Sequence, residues 1–373
     1  MNQLDREPRL QLLLERCLHD EPGVRGAILR VETPETVWTG AAGFCDPLHG
    51  LALRPDDAFQ AASITKMFTA SLCVLLAEED LLDLDSGLGA YLPETVTDGL
   101  HEFGGRSHGP ALTLRQLLSH TSGLADFFGD GTPAADGTLP FVAEMAADPD
   151  RLWDPMEVVA WTKAHLAARF APGDGWHYAD TGFLLAGLVA EAVTGQALHA
   201  ALRERIFTPL GMAHSYLLYR EPARPVEPGR PVSRPFAGDT DYGSLRSASA
   251  DWGSGGLVST AADLARFLRA FIDGRLFRKP ESRAQMMALV PTGEPGVSYG
   301  LGLRHFDLDR LGIEGGGALW GHTGFLKAFM LYWPAADAIL CGTLNQSAAS
   351  GAFSQLRPVA TLVRDVLPLL RQN

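Results

Sequence analysis

Ser63-Ile64-Thr65-Lys66 is the first group in the sequence whose residue types could do chemistry. A step of three residues puts the hydroxyl and the amine on one face of a helix's first turn. A serine at a helix N-terminus also faces free backbone N–H groups and the positive end of the helix dipole, which favour a developing alkoxide or oxyanion. A neutral hydroxyl is a weak nucleophile and needs a base. A lysine whose pKa is lowered by burial, or a tyrosinate supported by that lysine, can serve. The chain has only four lysines, Lys66, Lys163, Lys279 and Lys327, against 27 arginines. Placing one of them in an apolar helix points to a need for the amine itself, because arginine cannot lose its proton. Taken alone, the motif is also what an N-cap serine followed by a snorkelling lysine would look like.

Two later groups carry similar potential. In Tyr178-Ala179-Asp180 the two polar side chains can point the same way from an extended loop. The plainer alternative is a loop tyrosine followed by an aspartate capping a helix from Thr181. His322-Thr323-Gly324 lies in the strand-like run ALWGHTGFLKAFM. There the histidine could donate to a substrate carboxylate or carbonyl, and Gly324 would let a substrate backbone lie close to the strand. The amide of Phe325 could join that of Ser63 as an oxyanion hole.

In this order the three groups resemble the signature of the serine β-lactamase and penicillin-binding-protein superfamily. The similarity is greatest to its class C-like branch of esterases, D-aminopeptidases and D-alanyl-D-alanine carboxypeptidases. LTLRQLLSHTSGL (112–124), FAPGDGWHYADTGFLLAGLVAEAVTG (170–195), IFTPLGMAHS (206–215) and GSGGLVSTAADLARFL (253–268) also look like landmarks of that family, so the resemblance spans roughly 23–346. It implies that Ser63 attacks a carbonyl carbon to form an acyl-enzyme, with Lys66 and Tyr178 moving its proton. Asp180, His322, Thr323, Gly324 and Phe325 would bind the substrate and its oxyanion. The implied activity is hydrolysis of an ester or amide in a small molecule or short peptide, with D-amino-acid peptides as the narrower version. An acyltransferase would use the same acyl-enzyme. A β-lactamase ranks lower, because His322 stands where lactamases usually carry lysine. A sensor or scaffold that has lost catalysis fits poorly, since Ser63, Lys66 and Tyr178 are all present. One departure stands out: the family usually has Asn where this chain has Asp180. An ionised Asp only accepts hydrogen bonds. It is therefore expected to hold Lys66 protonated, to shift the base role toward Tyr178, and to favour a substrate donor such as a free amine.

The elements that must hold these residues are legible as patterns. GVRGAILRV and TVWTGAAGF read as a strand pair, and an amphipathic helix precedes them from about residue 4 to 18. SYGLGLRHF, ALWGHTG, AFMLYWP and AILCGTLNQS read as an antiparallel meander, followed by a last helix over about 354–370. The middle of the chain is mainly helical, with long loops over 129–140 and 221–249. The expected fold is α/β (α+β): an antiparallel sheet flanked by helices and formed from both chain ends (1–79 and 251–373), with a mainly helical domain (80–250) inserted. His120-Thr121-Ser122-Gly123 reads as a turn, with Gly123 stopping a helix.

Bulk properties narrow the classes. The 373 residues are 46% hydrophobic, enough for one large domain or two closely packed ones. A net charge of −13 argues against nucleic-acid and anionic-membrane partners and leaves a small molecule or short peptide. Charges interrupt the first 20 residues, and no run reaches the roughly 18 apolar residues of a membrane span, so a cytoplasmic location is expected. Cys17, Cys45, Cys73 and Cys341 form no C-x-x-C pair and are expected as free thiols. No metal or organic cofactor is called for, and Asp83 and Asp85 read as loop and cap carboxylates.

Overall fold

The computed structural model describes residues 3–21, 23–347 and 352–371. Its centre is a nine-stranded antiparallel sheet. The chain opens with helix α1 (Gln3–Asp20), then β1 (Gly26–Glu32), β2 (Val37–Asp46) and the short β3 (Leu51–Ala52). The remaining strands come from the other end of the sequence: β4 (Val290–Pro291), β5 (Val297–Tyr299), β6 (Arg304–Asp307), β7 (Ala318–Thr323), β8 (Ala328–Trp333) and β9 (Ala338–Thr343). The order across the sheet is β4-β5-β6-β7-β8-β9-β1-β2-β3. The first and last parts of the chain meet where β1 pairs with β9, Ile28 opposite Thr343. The expected meander and its closure by both chain ends are present.

Strand alternation sorts the core into two layers, because successive side chains leave a strand on opposite faces. Ala27, Leu29 and Val31 of β1, with Phe329, Leu331 and Trp333 of β8, face a layer shared with α1 and the last helix. Ile28, Met330, Ile339 and Cys341 face the other layer, which holds α2 (Thr65–Glu78), α3 (Asp180–Thr194) and α4 (Ala261–Ile272). The last helix, α5, runs Ala352–Arg371. Every residue of α2 from Thr65 to Leu76 is buried, as its unbroken apolar run requires. Ser63 and Lys66 at its start are thereby fixed between the sheet and α3. The connection between β5 and β6 passes tightly over α2: Gly302 has φ +65°, and a Cβ there would stand 2.6 Å from the Lys66 carbonyl oxygen.

The two long loops differ from plain coil. Residues 221–249 carry a small hairpin, Phe236–Ala237 against Thr240–Asp241, and a short turn over Tyr242–Ser244. The stop after the helix Leu114–Leu118 is also not where the turn reading put it. The first left-handed residue is His120 (φ +61°), and Gly123 (φ +76°) serves instead as a close contact, its Cβ position 2.1 Å from the Phe170 carbonyl oxygen. All four cysteines are free thiols. Among the described residues no single helix is long and apolar enough to cross a membrane.

Candidate active site

Ser63 sits in one turn of tight helix, Ala62–Ile64, that leads into α2. Ala62 before it has φ +48°, a left-handed conformation that costs a residue with a Cβ and is found where surrounding structure imposes it. The surroundings are visible. The Ala61 amide donates to the Leu257 carbonyl (2.8 Å), the Leu257 amide to Thr65 Oγ1 (3.0 Å), and Thr69 Oγ1 to the Gly253 carbonyl (2.7 Å). The segment Gly253–Leu257 thus clamps the start of α2 and delivers the Ser254 carbonyl to Lys66.

Lys66 is fully buried, and its Nζ makes three contacts. It donates to Ser63 Oγ at 3.1 Å, to the Ser254 carbonyl at 3.0 Å, and to Asp180 Oδ1 in a short ion-paired contact. Asp180 is the first residue of α3, after an extended Ala179 (φ −141°, ψ 115°), so Tyr178 and Asp180 do project the same way. The aspartate's side chain goes to Lys66, so the helix-capping alternative is not what the structure contains.

Tyr178 lies beside this pair, its ring centroid 4.8 Å from Lys66 Nζ. Its hydroxyl is shut off from solvent and lacks a well-formed hydrogen bond among the described residues. Burial first, then the charge of Asp180, push the phenol well above its ordinary pKa; Arg304 and the Ser63 hydroxyl oppose this without reversing it. The expectation that Asp180 would pass the base role to Tyr178 therefore meets an obstacle: the same carboxylate disfavours a tyrosinate.

His322 corrects another expectation. It lies at zero exposure in β7, behind the site. Nδ1 is 2.7 Å from the Thr323 carbonyl, which can only accept, so Nδ1 carries the proton. Nε2 then accepts from the Tyr299 hydroxyl at 2.9 Å. Both ring nitrogens are occupied, and burial, reinforced by Arg304 and Lys66, holds the ring neutral. No donor is left for a substrate, so His322 positions Thr323 and Tyr299. Gly324 is needed by the protein itself: a Cβ there would stand 2.6 Å from the Ala61 carbonyl oxygen and 3.3 Å from the Ser63 amide nitrogen. That contact brings the end of β7 against the Ser63 turn. The amides of Ser63 and Phe325 have no backbone acceptor among the described residues, as an oxyanion hole requires. Thr323 lies at the rim with 9% exposure.

Several residues here escaped the sequence reading. His120 packs on Tyr178 (ring centroids 4.3 Å) and on Tyr299 (4.6 Å), and its Nδ1 accepts the Ala179 amide at 3.1 Å. Asp126 accepts the Asp180 amide at 2.9 Å. Burial and then Asp180 raise the Asp126 carboxyl well above the usual range. Asp251 receives the Tyr242 hydroxyl at 3.2 Å, and burial followed by Asp180 raises it to about 7. Arg304 stands with its guanidinium carbon 5.2 Å from the Tyr178 ring and has no ion-pair partner among the described residues. Only the H-T-S-G run hinted at any of them. Phe325 lines the site between Phe128 (5.8 Å) and Tyr242 (6.0 Å). No group of three or more His, Cys, Asp or Glu among the described residues is placed to hold a metal ion.

Comparison with known proteins agrees with this architecture. A family model described as Beta-lactamase matches residues 14–363. Penicillin-binding protein 4 of Amycolatopsis lactamdurans is 30% identical over 266 residues, covering 69% of this chain and 62% of that protein. Other relatives are esterases and D-aminopeptidases. The chain spans 41–62% of the length of the first curated relatives it matches. Among solved structures, a D-amino acid amidase from Ochrobactrum anthropi SV3 complexed with D-phenylalanine aligns with TM-score 0.79 at 26% identity, covering 98% of this chain and 99% of that one. A D-stereospecific amidohydrolase from Streptomyces sp. aligns with TM-score 0.76 at 28% identity, covering 95% and 98%. With its sheet, its Ser63 turn and its matched length, the chain belongs to the beta-lactamase family.

Proposed function

We propose that the protein is a serine hydrolase that forms an acyl-enzyme through Ser63 and cleaves the amide bond of a small, amine-bearing substrate such as a D-amino-acid amide or short D-peptide. The observation that carries this is the 3.1 Å contact from Lys66 Nζ to Ser63 Oγ at the mouth of a buried ion pair. Ser63 Oγ attacks the carbonyl carbon, and the oxyanion forms against the amides of Ser63 and Phe325. Tyr178, kept as a neutral phenol, donates a hydrogen bond to the leaving nitrogen. Water then hydrolyses the acyl-enzyme.

The preference for an amine follows from charge. Asp180, Asp126 and Asp251 lie around one buried ammonium, and burial followed by the charge of Asp180 raises the Asp251 pKa to about 7. A substrate ammonium beside Asp251 would favour its ionised form. The amidase structures complexed with an amino acid amide and an amino acid support this substrate class.

The test compares wild type with Ser63→Ala on D-alanine p-nitroanilide, its N-acetyl derivative, a p-nitrophenyl short-chain ester and nitrocefin. Ser63-dependent anilide turnover is expected, reduced more than about tenfold when acetylation removes the charge. Turnover that survives Ser63→Ala would sink the reading. Nitrocefin as the best substrate would make the protein a lactamase. Labelling of Ser63 by a fluorophosphonate without hydrolysis of any of the four would favour an acyltransferase.

A further inference from the structure

We infer that Asp180 is the terminal proton acceptor for Ser63, reached through Lys66, so that the three residues work as one relay and Tyr178 stays a hydrogen-bond donor throughout. The inference rests on the serine-hydrolase reading and deepens it.

An ammonium has three N–H donors and no acceptor. Lys66 Nζ has three partners, Ser63 Oγ, the Ser254 carbonyl and Asp180 Oδ1. With every donor placed, no lone pair faces the serine proton. Nζ can take that proton only by giving up another. Of its partners, the Ser254 carbonyl cannot hold a proton, and Ser63 is the group to be activated. Asp180 remains. Its carboxylate is 13% exposed and already in short contact with Nζ, so the transfer needs no water and no side-chain movement.

The neighbouring groups leave this route open and close the others. The titratable and charged groups around Asp180 are Lys66, Tyr178, Asp126, Asp251, Tyr242 and Tyr299. Burial holds all three tyrosines well above their ordinary pKa, so none is a resting base. Asp126 is raised by burial and by Asp180, and its Oδ1 is taken up by the Asp180 backbone amide. Both nitrogens of His322 are occupied, and Nδ1 of His120 accepts the Ala179 amide.

The protons balance. As the Oγ–C bond forms and the carbonyl π pair moves to oxygen, the Ser63 proton goes to Nζ and one Nζ proton goes to Asp180. Lys66 ends as it began, and Asp180 is a carboxylic acid. When the carbonyl re-forms and the C–N bond breaks, the proton returns from Asp180 through Lys66 to the leaving nitrogen. In deacylation the attacking water loses a proton to the same relay, and Ser63 Oγ recovers it on collapse.

Asparagine tests the relay because it keeps the size of Asp180 and an oxygen acceptor for Lys66 but cannot accept a proton. We would measure kcat/KM against pH for wild type, Asp180→Asn and Asp180→Glu on a Ser63-dependent substrate, with folding checked by circular dichroism. For Asp180→Asn, a loss of about 100-fold at pH 7 is expected. The acid limb should move up by more than about one pH unit, because Lys66 must then lose its proton to solvent. Asp180→Glu should keep the wild-type limb and recover part of the rate. An unmoved acid limb in Asp180→Asn, whatever its rate, overturns the relay while the hydrolase reading stands. Wild-type turnover that survives Ser63→Ala fails the hydrolase reading itself, and the relay with it.

Discussion

Two groups of side chains meet at Lys66, and they treat charge in opposite ways. Asp180, Asp126 and Asp251 crowd one ammonium, so their charges are shared and contested. Tyr178, Tyr299, His120 and His322 pack ring against ring with centroids 4.3–6.4 Å apart. Burial drives the tyrosines up and the histidines down, and both shifts leave a neutral group. The aromatic group therefore has no proton to exchange near neutral pH and supplies shape. The carboxylate group holds charge that can move. Both kinds of residue are ionisable in principle, and surroundings rather than residue type decide which group carries proton traffic.

The largest effect is expected from removing the cation that unites the two groups. Lys66→Met keeps an apolar stem of similar length but removes the ammonium that lies over the Tyr178 and Phe183 rings and leaves Asp180 without its partner. Breaking a buried pair from one side typically costs about 3–5 kcal/mol, and loss of an acid–base group costs about 10²–10⁴ in rate. Activity should fall by that amount, and the melting temperature should drop markedly. Lys66→Met/Asp180→Asn should recover most of the stability and none of the activity. A double variant as unstable as the single one would show that the loss does not come from the unpaired Asp180 carboxylate.

A smaller effect is expected from the aromatic group. His322→Leu removes the acceptor of the Tyr299 hydroxyl and the tie to the Thr323 carbonyl. A small misplacement behind a reacting centre can cost up to about 100-fold, so kcat should fall by about 10- to 100-fold with KM within about twofold. A rise in KM at constant kcat would mean that His322 touches substrate after all, and the division between the groups would fail.

How much of this could be read from sequence follows the same division. Ser63 and Lys66 were legible because their relation is local: three residues on one helical turn fix the geometry without the rest of the fold. The sheet was legible because alternation in β1, β8 and β9 names two faces. Asp180 and Tyr178 were legible as a pair, since one extended residue separates them. Their roles were not. The tyrosine's protonation depends on Asp180 together with burial, and burial is a property of the assembled core. His322 was found by its motif and misread, because the Tyr299 hydroxyl that occupies it lies 23 residues earlier in another strand. Asp126 and Asp251 carried no local pattern at all. They reach Lys66 only when the loop after His120 and the segment before Gly253 close around α2.

The smallest effect is on stability, and it isolates a carboxyl poised near neutrality. Asp251 has a folded pKa of about 7, raised from 3.8 by burial and then by Asp180. For an acid whose pKa is raised on folding, the folded state binds the proton more tightly than the unfolded one. The resulting stability is fully present below the unfolded pKa and is lost as pH rises through the folded pKa. Between pH 5 and pH 8 the wild type should therefore lose stability at this position, as the carboxyl ionises beside Asp180. Asp251→Asn keeps an acceptor for the Tyr242 hydroxyl and cannot ionise, so it should escape that loss. Its melting temperature relative to wild type should be higher at pH 8 than at pH 5, by a few degrees at most. The same difference at both pH values would mean that the folded Asp251 carboxyl ionises below this window, close to where it does in the unfolded chain. A saturating amine-bearing substrate analogue should shrink the pH 8 gap, because a bound ammonium compensates the carboxylate that the free site leaves crowded.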